Sequence, residues 1–484
     1  MNVLEILHHS AEQWPDHVAL IHGTDRIEYR RLFTAAYRLR DRLVALGLRP
    51  GQAVAVVGGN TPVFIATAFA VAGAGAVAVL QPHTQTDVEF RETLGAFPIH
   101  AVVSDGVRAA FPLGLEAQPL DPEGFSGEVW FAWTKPVPER LFAPSVPEAA
   151  FARFTSGTTG QPKCAVLTHA NIGDRLRAAN RGLGITPAET VLWLLPMAFH
   201  FFVSITLYLA YGATIVLTEN PSSREILERV KRHAARILYA APRHYRRLAE
   251  ESETGIEAPL ASLRLAISTA SGLPARVARA FYERYGVPVS QAYGIIEAGL
   301  PMLNTAHALE QPEAVGSPLP GWEVRLLDAE GKPVADGAVG ELLLRGPGLF
   351  AGYLQGETFR TGLTPDGWLP TGDLARRTAP ACYRILGRAH AAIHIEGRTL
   401  FPELLEAALE SHPAVDQARV TVAPAGDGLH ADLVAQAGFP RPSLDELRAC
   451  GRDVEGMEAL QAVAWVEALE ETASGKIRRW NKEV

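Results

Sequence analysis

Residues 154–169, FTSGTTGQPKCAVLTH, set two glycines, four threonines and a serine around one lysine before a segment able to begin a helix. Glycines let backbone N–H groups converge on an anion without side-chain obstruction, hydroxyls add donors, and lysine supplies a compact positive charge. The loop reads as a phosphate cradle. Its rival, the GxxxxGK[ST] loop of nucleotide triphosphatases, fails here because Pro162 separates Gly160 from Lys163 and Cys164 follows the lysine. A surface loop rich in turn residues accounts for the glycines, threonines and proline, but not for the whole ordered string.

Outward from this loop the texture is alternating. Residues 53–57 are a short β-branched run, 61–72 have the length and composition of a helix, and 76–80 are strand-like again. The same rhythm recurs with strands expected at 190–195, 213–217 and 235–239 and helices at 203–211 and 224–233. It predicts an α/β architecture with largely parallel sheets. From Val315 short strands and turn signals take over, a smaller β-rich section. After Gly387 a further α+β unit is expected, with an amphipathic helix over 402–411, strands at 418–422 and 429–436, and a polar helix at 444–450.

The chain of 484 residues exceeds what one core usually organises. Its 45 basic and 53 acidic residues are dispersed and leave a net charge of -8, which offers neither a nucleic-acid stripe nor a polybasic membrane patch. Small molecules or proteins are the expected partners. Three widely spaced cysteines show no CxxC or zinc pattern and fit a reducing compartment. The opening MNVLEILHHSAEQWPDH carries acids and histidines where an export signal is basic and then apolar, and the most apolar stretch, 64–80, is shorter than a membrane span. A cytoplasmic protein without a membrane span is expected.

The string TSGTTGQPK followed by LTH resembles the signature loop of the adenylate-forming superfamily, which includes acyl-CoA synthetases, aryl acid ligases, luciferases and the adenylation domains of peptide synthetases. Similarity in family order continues through IEYRRL (27–32), SQAYGIIEAG (290–299), GELLLRGPGLFAGYL (340–354), PTGDL (370–374), GRAHAAIHIEGRTLFPELLE (387–406) and TASGKIRR (472–479). The resemblance implies a large N-terminal domain, 1–387, with the ATP and acyl sites, and a small mobile C-terminal domain, 388–484. It also implies a two-step reaction in which a carboxylate attacks the α-phosphate of ATP and a thiol then opens the acyl-adenylate.

By that resemblance Thr155, Ser156, Gly157, Thr158, Thr159, Gly160 and Lys163 cradle the phosphates, Gly272, Tyr293 and Gly294 border the adenine, and Glu297 holds Mg²⁺. A carboxylate suits that hard cation. Asp373 is implied to accept from the ribose hydroxyls, for which an ionised carboxylate has two free oxygens. Arg388 lies at the start of the hinge segment, where His390 and Ala391 stand in place of the family's acids. Lys476 is the implied catalytic lysine bridging carboxylate and α-phosphate, and Gly397 is implied to leave room for the arm of coenzyme A or phosphopantetheine. Taken alone, each lysine reads as a solvated side chain and Glu297 as a surface acid.

The acyl pocket is expected around FHFFVSI, 199–205. Relatives that activate α-amino acids place an aspartate in this segment, whereas Phe201 and Phe202 stand here; an ammonium beside them would lose hydration without compensation. A hydrophobic acid fits better, with aryl and fatty acids equally ranked, and His200 is implied at the junction of pocket and thiol tunnel. The acceptor is coenzyme A or a separate acyl or aryl carrier protein. A second class of function, a degenerate adenylate-binding protein with a scaffolding or sensing role, is motivated by three departures: Ile296 for the usual threonine, the GRAHA segment, and Cys164 in place of a glycine.

Overall fold

The computed structural model describes residues 2–106, 114–155, 163–251, 260–395, 397–424, 426, 428–436, 438–452 and 454–470. The alternating apolar runs become two nine-stranded sheets. In the first, strands Val18–His22, Thr214–Leu217, Thr190–Trp193, Ile237–Ala240, Leu265–Ser268 and Val289–Ile295 lie side by side and parallel. They are buried on both faces, which is why they read as continuous apolar runs. In the second, Ile99–Ser104, Ala53–Gly58, Val77–Pro82 and Ala149–Thr155 form a parallel centre, and Lys163–Thr168 returns antiparallel beside Ala149–Thr155.

The main core draws on both sheets and on helices Val3–Gln13, Tyr29–Ala45, Pro62–Gly73 and His169–Leu183. Helix Pro62–Gly73 is apolar around its circumference and buried from Pro62 to Ala72, as a helix enclosed on every side must be. Thr61 caps it by accepting from the Phe64 N–H, with proline in the first turn.

The β-rich section is divided. Glu323–Leu327, Val339–Arg345, Leu369–Ala379 and Cys382–Arg388 build an antiparallel four-stranded sheet. Gly352–Gln355, from the same section, leaves it and pairs with Lys163–Thr168 at the edge of the second large sheet. Beyond Arg388, strands Val415–Val422, Leu429–Ala435 and Leu460–Val466 form a three-stranded sheet, covered by helices Pro402–Glu410 and Leu444–Cys450 around a core of their own.

The helix expected over 203–211 differs from what is observed. Residues Phe201–Ile205 form a π-turn before the short helix Thr206–Ala210, and the His200 carbonyl accepts from the N–H groups of Val203, Ser204 and Ile205 at 3.2, 2.8 and 3.5 Å. Such wide turns occur often at functional sites.

Candidate functional site

Strand order decides where a ligand can enter. Leaving Thr190–Trp193, the chain first builds Thr214–Leu217 on one side and then Ile237–Ala240 on the other. The carboxyl ends of the strands at such a reversal are the usual ligand position in parallel α/β sheets. Trp193 and Tyr239 stand on either side of the reversal, stacked with centroids 4.4 Å apart and planes at 17°. The His200 ring meets Trp193 edge-on at 5.6 Å, and the Ser204 hydroxyl donates to the Tyr239 hydroxyl at 3.3 Å. Asn60 reaches across from the second sheet and fixes the approach to this turn. Its amide donates to the Leu195 and Thr218 carbonyls at 3.0 and 2.8 Å and accepts from the Met197 N–H at 2.9 Å.

Two neighbouring strands of the first sheet, continued by the four-stranded sheet, supply the polar groups. Strand Val289–Ile295 turns back into Gly299–Leu303, and Glu297 sits in the connection. Gly299 takes φ +84°, and a side chain on Gly294 would press on the Gly299 carbonyl at 2.9 Å, so the turn favours glycine at both places. Arg175, buried on helix His169–Leu183, ties the turn down by donating to the carbonyls of Ile296, Glu297 and Gly348 at 2.7–3.3 Å. Burial lowers its pKa to about 9 against the opposing charge of Glu297. The Glu297 carboxylate accepts from the Tyr353 hydroxyl at 2.6 Å, and burial, then Glu297, pushes that phenol upward. Lys163 Nζ lies 5.8 Å from the Tyr353 ring centroid.

Asp373 and Arg388 face one another in register on adjacent strands. Arg388 Nε lies 3.0 Å from Asp373 Oδ1, and Arg388 also donates to the Thr371 carbonyl at 3.0 Å. Tyr293 donates its hydroxyl to the other oxygen of Asp373. Burial and then the Asp373 charge drive the Tyr293 phenol well above its ordinary pKa, so it stays a donor. Burial opposes the Arg388 cation, but Asp373, Tyr293, Glu297 and Glu403 outweigh it and raise the pKa.

The expected site residues thus fall into groups. Tyr293, Asp373 and Arg388 are in direct contact, and Glu297 and Lys163 share Tyr353. Gly272 follows Leu265–Ser268 at an exposed turn where an added Cβ meets nothing within 4 Å. Phe201 and Phe202 are each 1% exposed and pack in the main core against Phe64, Phe69 and Phe151. His390 is exposed just after Arg388, and Gly397, at φ +75°, also has open space around it. Ser156, Gly157, Thr158, Thr159, Gly160 and Lys476, with the Thr155 side chain, lie outside the described residues. Asn60, Arg153, Arg175 and Tyr353 were missed by sequence reasoning. The only available signals were a charge within the apolar strand Ala149–Thr155 and a tyrosine inside the family-like segment 340–354. Cys164 is a fully buried core residue, and burial pushes its thiol pKa up.

The strand-order reversal, the Glu297–Tyr353 pair with Lys163 nearby and the Asp373–Arg388–Tyr293 cluster are features of an α/β fold. The chain belongs to the AMP-binding enzyme family, whose sequence model matches residues 7–354. It is 27% identical over 486 residues to a feruloyl-CoA synthase of an Amycolatopsis species, covering 96% of this chain and 95% of that one. With the sulfoacetate–CoA ligase of Cupriavidus necator it shares 31% identity over 347 residues, covering 69% and 67%. Its fold matches the benzoate CoA ligase of Burkholderia xenovorans LB400 with a TM-score of 0.82 at 25% identity over 99% of each chain. It is an adenylate-forming ligase.

Proposed function

We propose that this enzyme activates an aromatic carboxylic acid with ATP and transfers the acyl group to the thiol of coenzyme A. The observation that carries this reading is the aromatic cluster at the strand-order reversal, where the half-buried Phe199 and His200 rings sit over the buried Trp193–Tyr239 stack. No acid occurs in residues 195–205 to pair with an α-ammonium. A planar ring matches these faces by stacking and edge contacts. Feruloyl-CoA synthase and benzoate CoA ligase support the aromatic class; the sulfoacetate relative is the reason the acid must be tested directly.

In the first step a carboxylate oxygen bonds to the α-phosphorus and pyrophosphate leaves. In the second a thiolate bonds to the acyl carbon and AMP leaves. Asp373 is suited to accept from ribose hydroxyls, with Arg388 as its counter-charge, and Tyr293 presents a ring beside it. Lys163 and Thr155 to Gly160 are assigned to the phosphates, and Lys476 to the reacting oxygens. Among the described residues no group of three potential protein ligands could hold a metal by itself. Glu297 as one carboxylate fits Mg²⁺ that arrives on phosphates, since this ion keeps most of its shell as phosphate oxygens and water. Mg²⁺ there would neutralise phosphate charge; Tyr353 orients the Glu297 carboxylate for it. The small domain after Arg388 is assigned the swivel between steps, with Gly397 leaving room for the pantetheine arm.

Pyrophosphate exchange across benzoate, cinnamate and hydroxylated derivatives, octanoate and phenylalanine tests the first step. Thioester formation with coenzyme A or a loaded carrier protein tests the second. Aromatic acids should exceed octanoate, and coenzyme A should suffice. Exchange absent with every acid would instead support a binding protein without catalysis; faster octanoate turnover would move the substrate to fatty acids.

A further inference from the structure

Two arginines, Arg175 buried and Arg153 half-buried, feel the charge of Glu297, and they are used differently. Arg175 makes four hydrogen bonds to three backbone carbonyls. Arg153, on strand Ala149–Thr155, makes one hydrogen bond, from Nη1 to the Phe199 carbonyl at 2.5 Å, and lays its guanidinium over the Phe199 ring at 4.4 Å. No carboxylate among the described residues forms an ion pair with it, and residues 156–162 contain no acid. Burial lowers its pKa to about 10, with Glu297 as the opposing charge, so it remains a cation at neutral pH. Ordinary packing does not favour such a group, because a partly desolvated cation whose nearest opposing charge, Glu297, forms no ion pair with it is costly. A planar fork with unused donors is suited to a carboxylate.

Its location names the anion. Phe199 directly precedes His200 of the aromatic cluster, while Arg153 stands two residues before the phosphate-type loop in sequence. The guanidinium lies against Phe199, next to His200, and within electrostatic reach of Glu297, the carboxylate assigned above to the phosphate-borne Mg²⁺. We propose that Arg153 binds the reacting carboxylate of the incoming acid and holds it between the Phe199–His200 rings and the α-phosphate. The Phe199 ring and carbonyl fix one edge of the guanidinium and leave the other for the substrate. This assignment rests on the proposed acid-activating function, and it adds a binding residue within that site.

Calorimetric titration of benzoate and its neutral isostere benzamide tests it. Wild-type and Arg153→Gln protein are each saturated with α,β-methylene-ATP, so that the contact is read without turnover; pyrophosphate exchange on the same samples reports the activity separately. Wild type should bind benzoate more tightly than benzamide by about tenfold or more, as a charge-assisted hydrogen bond implies. The variant should lose that preference while its affinity for the ATP analogue stays within about twofold, a smaller change than losing even a weak direct contact would give. Arg153→Lys, which keeps the charge and loses the fork, should recover part of the preference and serves if the glutamine variant does not fold. An unchanged preference for benzoate would overturn the proposal. So would a parallel loss of benzoate and nucleotide-analogue binding, which would make Arg153 a phosphate contact or a purely structural one. Wild-type exchange that fails while benzoate binding still depends on Arg153 would count against the activity and not against this contact.

Discussion

Asp373 shows how a single carboxylate organises several functions. It balances Arg388 and accepts from Tyr293, so Asp373→Asn keeps the shape while removing the charge. The Arg388 side chain is 41% exposed, which tempers the penalty to about 2 kcal/mol, less than for a fully buried broken pair. Urea melts should register that loss, and the KM for ATP in pyrophosphate exchange should rise. His244 gives a pH prediction of a different kind. Burial, then Arg243, lowers its pKa to about 4, and its ring nitrogen accepts from the Ala241 N–H at 3.1 Å. Below pH 6.5 the unfolded chain takes up a proton that the folded protein refuses until about pH 4, so stability falls as the pH drops through that window. The full effect is about 3 kcal/mol. His244→Gln retains a capping acceptor at the third helical position and should flatten the decline between pH 7 and 5 in thermal melts.

At the scale of elements, close approaches decide what can be exchanged. Gly348 has φ +73°, and an added Cβ would lie 2.4 Å from the backbone nitrogen of Arg175. Gly184, the left-handed cap of helix His169–Leu183, has φ +60° with nothing within 4 Å. Gly184→Ala should therefore cost only backbone strain, about 1 kcal/mol. Gly348→Ala must also move the helix that anchors the Glu297 turn, so its denaturation midpoint should fall much further and its exchange activity with it. The parallel strands Ala53–Gly58 and Val77–Pro82 and the helix between them were legible because doubly buried strands leave β-branched runs in the chain. The pairing of Gly352–Gln355 with Lys163–Thr168 was not, since contacts between distant segments leave no local period. Nor was the π-turn, whose residues have the same composition as an ordinary buried helix. Tyr293, Glu297 and Asp373 could be picked out only because whole motifs surround them; Asn60, Arg153 and Arg175 lie outside any such string, and their roles emerge from partners far away in sequence.

Across the whole molecule, the unit beyond Arg388 touches the large part through Arg246 on helix Pro242–Glu250. Its guanidinium donates to the Val415 and Asp416 carbonyls at 3.1 and 3.0 Å and pairs with the Asp416 carboxylate. Arg246→Ala should release this dock at a cost of about 1 to 2 kcal/mol, read as faster limited proteolysis around the exposed His390. Unaltered cleavage would show that other contacts hold the unit. Lys476→Ala tests the proposed division of labour: exchange should fall to near background, while thioester formation from a supplied acyl-adenylate continues. Equal loss of both steps would count against it.

The dock at Arg246 also bears on how the protein can diverge. Two of its three acceptors are main-chain carbonyls, which every amino acid presents, so positions 415 and 416 can change with the contact largely kept. The donor has no such freedom, because lysine cannot reproduce the fork. Grafting a foreign C-terminal unit onto this chain is therefore constrained mainly by backbone shape at one strand end, and mutational drift should be tolerated on one side of the joint and punished on the other.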